Sequence, residues 1–197
     1  AWKRAEEGKA FDLIILRKTY EKILELVSSE FQEKCRTTID DCLDVVRIEL
    51  EKAMEKKEFA DEVRSKTLAY SGEILMSHMM EYILQSQGIK SKVVGLDNWP
   101  IITDSNIEST NFLASESNKK VEFLERLLDE NQVITIGGFI GRTADGVITT
   151  YERGGSDRTA ADLGILLHKK FDVKIDLEKD SSVVSADPRI VKDGLTE

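Results

Sequence analysis

TYERGGSD (residues 150–157) joins a run that predicts a strand to a run that predicts a helix. Within it, a guanidinium, two glycines, a hydroxyl and a carboxylate occupy five consecutive positions, from Arg153 to Asp157. Glycine allows a ligand to approach the backbone closely, and the first amides of a helix can bind an anion. Arg153 can hold a carboxylate with two hydrogen bonds, and Asp157 can accept an ammonium group. The stretch therefore suits a zwitterion such as an amino acid, or a phosphate.

A structural role is the alternative for the same residues. Ser and Asp are preferred N-cap residues, so Ser156 or Asp157 could simply cap the helix that follows.

Helices and strands alternate in the second half of the chain. Strands are predicted near residues 92–96, 133–136, 147–150 and 173–175, and helices at 119–129 and 159–167. Asp145-Gly146 predicts a tight hairpin turn. This alternation indicates an α/β fold with a mostly parallel sheet. Ligands in such folds bind at the carboxyl ends of strands. Gly137–Gly141 and Arg153–Asp157 both follow strands, so we expect them at the same edge.

The first 88 residues predict helices, because apolar residues recur at spacings of three and four. Ser71-Gly72-Glu73 predicts the start of a helix over residues 71–87, and Gly88 its end. Glu73 would lie in the first turn, where a carboxylate stabilises the helix dipole. On local grounds alone, capping is the leading role for Glu73.

Composition limits the class of protein. A net charge of -9 argues against a general nucleic-acid binder, and no run reaches the roughly 20 apolar residues that span a membrane. Cys35 and Cys42 would lie about 10 Å apart on a helix, too far for a disulfide, and two reduced cysteines fit a cytoplasmic protein. His78 and His168 have no neighbours at ligand spacing, so no metal ligands are expected.

Three motifs together resemble one family. They are GFIGRTADG at residues 138–146, RGGSDRTAA at 153–161 and SADPRIV at 185–191. Their order and spacing are similar to the catalytic domain of aspartate kinases, in the amino-acid kinase superfamily. Ser71-Gly72-Glu73 also matches that family. The resemblance covers most of the chain and is strong from residue 132 onward.

The resemblance implies a three-layer αβα sandwich with a mostly parallel sheet. Residues 1–197 would be a partial catalytic domain, with a mainly helical part at 1–88, an α/β part at 89–197, an incomplete N-terminal half and no regulatory domain. The implied reaction transfers the γ-phosphoryl group of ATP to the β-carboxylate of L-aspartate, with Mg²⁺. It is the first step of lysine, threonine and methionine biosynthesis, in the cytoplasm. No nucleic acid or membrane partner is implied, and a homodimer stays open.

The resemblance also assigns roles to residues. Arg153 would hold a carboxylate of aspartate, Glu73 and Asp157 would receive its ammonium group, and Phe139 would form a pocket wall. Ser156 and the amides around Gly154 and Gly155 would help to fix the carboxylate. Arg153 and Asp157 are the expected catalytic residues. The expected nucleotide contacts are Lys179, Asp180, Val184, Asp187 and Arg189.

The chain departs from the family pattern in three places. It has no Lys-Phe-Gly-Gly strand, it has EKDSS at residues 178–182 where the family has Thr-Asp-Val-Asp-Gly, and it ends at Glu197 without ACT domains. Loss of one charged donor to a transition state costs on the order of 3 kcal/mol, about a hundredfold in rate. We therefore expect these 197 residues alone to be inactive or barely active. A glutamate kinase-like enzyme and a non-catalytic binding module are the alternatives.

Overall fold

The structure is a computed structural model that describes residues 1–178. The helices are α1 (Trp2–Glu6), α2 (Ile14–Ile23), α3 (Ser29–Lys56), α4 (Asp61–Leu68), α5 (Ile74–Ser86), α6 (Ala114–Asn118), α7 (Val121–Glu130) and α8 (Gly155–Leu167). The strands are β1 (Ser91–Val93), β2 (Val133–Thr135), β3 (Ile140–Arg142) and β4 (Ile148–Thr150). A π-helical segment spans Ala69–Glu73, and 3₁₀ turns span Leu24–Leu26 and Leu96–Asn98.

The first half is helical, as predicted, and α3 is its longest element at 28 residues. Its buried apolar side chains follow the helical period: Cys35, Ile39, Cys42, Leu43, Val46, Leu50 and Ala53. Both cysteines are free thiols. Burial raises the pKa of the Cys42 thiol to about 11, so the thiol stays protonated near neutral pH. These cysteines therefore serve as core residues.

The prediction that a helix starts at Ser71 is wrong. The π-helical segment joins α4 directly to α5, so the chain is helical from residue 61 to residue 86. Within this segment the Ile74 N–H donates to the Ala69 carbonyl, five residues back. The Tyr20 hydroxyl, from α2, donates to the Ser71 carbonyl at 2.8 Å. Serine and glycine favour a helix start locally, but here they lie within a helix that tertiary contacts hold.

The predicted end of this helix at Gly88 is confirmed. Gly88 has a positive φ of 77°, and the Ile89 N–H donates to the Leu84 carbonyl at 3.0 Å. This is the Schellman pattern, in which glycine supplies the left-handed residue.

The described residues contain two small sheets, which confirms the α/β class. β1 and β2 pair in parallel, and β3 and β4 form an antiparallel hairpin. The hairpin turn at Asp145-Gly146 was predicted, and Gly146 has the required positive φ of 99°. α5 packs on both parallel strands, α7 on β2 and α8 on β3. Parallel pairing in the described residues is limited to β1 and β2 and one bridge between Ile102 and Arg142.

The strand predicted at residues 173–175 does not form in the described part of the chain. Residues 172–178 have no strand assignment. An added Cβ on Gly164 of α8 would lie 2.8 Å from Cδ1 of Ile175 and 3.8 Å from Cγ1 of Val173. These side chains therefore pack on α8. β-branched residues favour a strand only where a partner strand is present.

Trp99 fixes the loop after β1 to the hairpin that leads to the site. Its side chain is 2% exposed, and its indole N–H donates to the Ile140 carbonyl at 3.1 Å. A buried indole needs such an acceptor. Next to it, Thr103 and Thr149 share a buried hydrogen bond of 2.7 Å between hydroxyls.

Substitution of Gly141 by Ala should destabilise the fold. The new Cβ would lie 2.3 Å from Cγ2 of Thr103 and 2.7 Å from Oγ1 of Thr149, and overpacking typically costs about 1–3 kcal/mol. Gly95→Ala is the matched control, because nothing lies within 4 Å of its Cβ position and its φ is -76°. Urea unfolding should show a clear loss for Gly141→Ala only. Equal stability of the two variants would contradict the packing of this hairpin.

Candidate amino acid site

An open cleft of ≈ 540 Å³ brings distant parts of the chain together. It lies between the π-helical segment, the loop after β2 and the turn that begins α8. Its lining comprises Leu68, Ser71, Gly72, Glu73, Phe139, Arg153, Gly154, Gly155, Ser156 and Asp157. Every residue predicted for the amino acid substrate is in this set. The two loops that follow strands therefore meet, as expected from the sequence.

Glu73 does not cap a helix; it binds the opposite loop. Its Oε2 accepts the Gly138 N–H at 3.0 Å, across 65 residues of sequence. Burial raises the pKa of the Glu73 carboxyl, and hydrogen bonds from the Gly138 amide and the Ser156 side chain oppose that rise. A half-buried carboxylate held in this way is a ready acceptor for a cation in the cleft.

Two glycines allow the loop after β2 to approach its neighbours. An added Cβ on Gly137 would lie 3.0 Å from the Glu73 carbonyl oxygen. One on Gly138 would lie 2.8 Å from Cβ of Ser156. A side chain at Gly138 would therefore displace Ser156, and one at Gly137 would fit only tightly against the Glu73 backbone.

Phe139 forms a wall of the cleft, and its backbone is in the left-handed region with φ 67°. Non-glycine residues rarely adopt this conformation. Two hydrogen bonds hold it: the Phe139 N–H donates to the Thr159 hydroxyl at 3.0 Å, and the Tyr151 N–H donates to the Phe139 carbonyl at 3.0 Å.

The start of α8 forms the basic and polar side of the cleft. Gly154, with φ 86°, is the N-cap, and no side chain caps this helix by a hydrogen bond in the described residues. Ser156 and Asp157 lie within the first turn, so the capping alternative for them is wrong. First-turn amides carry partial positive charge and favour an anion. Arg153 is exposed beside them.

A buried hydrogen-bonded pair, Tyr151 and Asp162, supports this turn. The Tyr151 hydroxyl donates to Oδ2 of Asp162 at 2.7 Å, and both residues are buried. Burial raises the pKa of both groups. The Arg158 guanidinium lies 5.0 Å above the Tyr151 ring. Since Tyr151 and Asp162 precede and follow the turn, their bond fixes its two ends.

Three residues of the cleft lining were not predicted from the sequence: Leu68, Ser71 and Gly72. They reach the cleft because the helix continues through residues 69–73. The expected nucleotide contacts Lys179, Asp180, Val184, Asp187 and Arg189 lie outside the described residues.

A second cleft of ≈ 520 Å³ lies between α3, α4 and the hairpin. Several of its charged side chains already have protein partners. Lys52 and Lys66 both donate to Oε1 of Glu49 at 2.8 Å, and Arg142 donates to the carbonyls of Leu96 and Gly146. Volume alone therefore does not identify the functional cleft.

Residues 1–178 lack two kinds of feature. In this part no three His, Cys, Asp or Glu side chains converge to form a metal site. No helix there has both the length and the apolar character needed to cross a membrane.

Comparisons with known proteins identify related sequences. The model of the amino acid kinase family matches residues 18–196. An aspartokinase of Rickettsia felis is 34% identical over 122 residues, which are 61% of this chain and 29% of that protein. An aspartokinase of Geobacillus stearothermophilus is 34% identical over 127 residues, which are 64% of this chain and 29% of that protein. The chain thus spans less than a third of these relatives.

Solved structures show the same fold. Escherichia coli aspartokinase III in complex with lysine and aspartate superposes with a TM-score of 0.76 at 24% identity, over 93% of this chain and 40% of that one. The same enzyme in complex with aspartate and ADP gives a TM-score of 0.77 at 24% identity, over 94% of this chain and 40% of that one.

Substitution of Glu73 by Gln should stabilise the protein near neutral pH. The pKa of Glu73 lies above its ordinary 4.5 in the folded chain. The folded state therefore binds this proton more tightly than the unfolded state does. Ionisation of Glu73 lowers the free energy of unfolding as pH rises from 4.5 through the folded-state pKa. Gln keeps an oxygen for the Gly138 N–H and does not ionise.

Urea unfolding of wild type and Glu73→Gln at about pH 4 and about pH 7 tests this, because the difference in stability should grow with pH. Glu152→Gln, on an exposed residue of the same region, is the control and should show no such trend. A variant less stable than wild type at neutral pH would contradict the argument.

Proposed function

This chain belongs to the amino acid kinase family, and we propose that it carries the aspartate site of an aspartate kinase. The reaction is transfer of the γ-phosphoryl group of ATP to the β-carboxylate of L-aspartate, which gives 4-phospho-L-aspartate. Relatives named aspartokinase support this choice within the family. Because the chain spans under a third of those relatives, the activity is proposed for the whole protein.

One observation carries the proposal: a single cleft presents two carboxylates and one guanidinium to the same space. Glu73 and Asp157 supply negative charge, and Arg153 and the first amides of α8 supply positive charge. A free amino acid has an ammonium group and a carboxylate a few ångströms apart. The cleft therefore matches both ends of a zwitterion.

In this proposal Arg153 binds a carboxylate of aspartate with two hydrogen bonds. Glu73 and Asp157 bind the ammonium group, and Gly154, Gly155 and Ser156 orient the carboxylate at the start of α8. These contacts hold the β-carboxylate as the nucleophile toward the nucleotide. Positioning of this kind accounts for much of the catalysis of phosphoryl transfer.

We also propose that the nucleotide is bound by Lys179, Asp180, Val184, Asp187 and Arg189. Mg²⁺ commonly binds through phosphates and one or two carboxylates. In this proposal the Mg²⁺ ion arrives with the nucleotide. When bound, such an ion neutralises charge on the phosphates.

ATP-dependent formation of aspartyl hydroxamate by the whole protein tests the function. We expect product with L-aspartate and much less with L-glutamate. A preference for glutamate would make the protein a glutamate kinase. Binding of aspartate and ATP without turnover would make it a binding module. Either result would overturn the proposal.

Arg153→Ala should weaken binding of L-aspartate by about tenfold to a hundredfold, the loss expected for hydrogen bonds to a charged group. Arg158→Ala is the matched control, because Arg158 lies in the first turns of α8, close in sequence to Arg153, and its guanidinium stacks on Tyr151 outside the cleft lining. Isothermal titration calorimetry measures both. Unchanged affinity in Arg153→Ala, or an equal loss in Arg158→Ala, would refute the role of Arg153.

A further inference from the structure

Thr159 occupies an unusual position between the two loops of the site. It is 2% exposed and belongs to the second turn of α8. Its hydroxyl donates to the Gly155 carbonyl at 2.9 Å and accepts the Phe139 N–H at 3.0 Å. One oxygen atom thus joins the loop after β2 to the turn that carries Arg153.

Only one of the two hydrogen bonds of the Thr159 hydroxyl is common in helices. Threonine in a helix often donates to the carbonyl four residues earlier, as Thr159 does to Gly155. The bond from Phe139 comes from another element, 20 residues away. Since a hydroxyl has one proton to donate and lone pairs to accept, both bonds are satisfied together. Local helix preference explains the first bond and not the second.

Phe139 needs this bond more than an ordinary residue would. Its φ of 67° is disfavoured for a side chain of this size, and such a conformation persists only where surrounding contacts impose it. Thr159 holds the N–H and Tyr151 holds the carbonyl. Loss of the Thr159 hydroxyl would leave the Phe139 N–H without its acceptor and release the strain.

The two loops also lie too close to move separately. An added Cβ on Gly155 would lie 2.9 Å from Cδ2 of Phe139, and one on Gly138 would lie 2.8 Å from Cβ of Ser156. A shift of the Phe139 backbone would therefore displace Gly155 and Ser156. The position of the pocket wall and that of the carboxylate-binding turn are coupled through this contact.

We propose that Thr159 is a positioning residue that locks the Phe139 wall to the start of α8, so that the two halves of the amino acid site form one rigid unit. Its effect on the ligand rests on the proposed aspartate site, whereas its effect on Phe139 does not. Thr159 acts through Phe139 and Gly155 and is absent from the cleft lining.

Amide hydrogen exchange by NMR on the ligand-free chain tests the lock directly. Thr159→Val keeps the side-chain shape and removes the hydroxyl, so protection of the Phe139 amide should fall by about tenfold or more. Thr159→Ser should retain protection. Thr149→Val is the matched control, because Thr149 also has a buried, paired hydroxyl outside the cleft. In Thr149→Val the Phe139 amide should stay protected from exchange. Wild-type protection of Phe139 in Thr159→Val would overturn the proposal.

Calorimetry with L-aspartate then tests the consequence. We expect affinity to fall about tenfold in Thr159→Val and to stay within about threefold of wild type in Thr159→Ser. Equal affinity in all three proteins would overturn the role in ligand binding. If wild type binds no L-aspartate, the proposed function fails, and the exchange result still decides whether Thr159 locks Phe139.

Discussion

The close approach of two backbones, the loop after β2 and the turn that begins α8, is the constraint on which the site depends. Gly138 lies against Ser156, and Gly155 lies against Phe139. Any side chain at either glycine would separate the two segments. This close contact places Phe139 in the same cleft as Arg153 and brings the Gly138 amide within hydrogen-bond distance of Glu73. Fold and site are thus set by the same few contacts.

The charge of Glu73 in the cleft lowers the stability of the fold. Burial disfavours the ionised Glu73 carboxylate, and this raises its pKa. The amide of Gly138 offsets part of that penalty, and a bound ammonium group would offset more. A site that is less stable when empty than when occupied is common where binding requires buried charge. Asp162 does not share this role, because the Tyr151 hydroxyl satisfies it internally.

Much of the cleft lining is predictable from the sequence, because its signals are local or contained in motifs. The glycines of residues 153–157 predict the turn that begins α8, and the family resemblance adds Glu73 and Phe139 to the cleft lining. Local sequence alone predicts a capping role for Glu73, because its bond to Gly138 spans 65 residues and leaves no local pattern. The same limit applies to Thr159, whose partner Phe139 lies in another element.

Two predictions about the fold are wrong for a similar reason. Ser71 and Gly72 favour a helix start, yet a π-helical segment continues through them and Tyr20 binds the Ser71 carbonyl. Val173 and Ile175 have strand propensity, yet they pack on α8. In both cases a contact with another element overrides the local preference. The hairpin at Asp145-Gly146 was predicted correctly because its turn is encoded by adjacent residues.

A titration of the ¹⁵N-labelled chain with L-aspartate, followed by NMR, tests the central claim most directly. The account predicts that amide resonances of residues 138–139 and 154–157 shift together and saturate with a single affinity, because one ligand contacts both loops. Shifts confined to one loop, or concentrated around Lys66 and Arg142 in the other cleft, would contradict it.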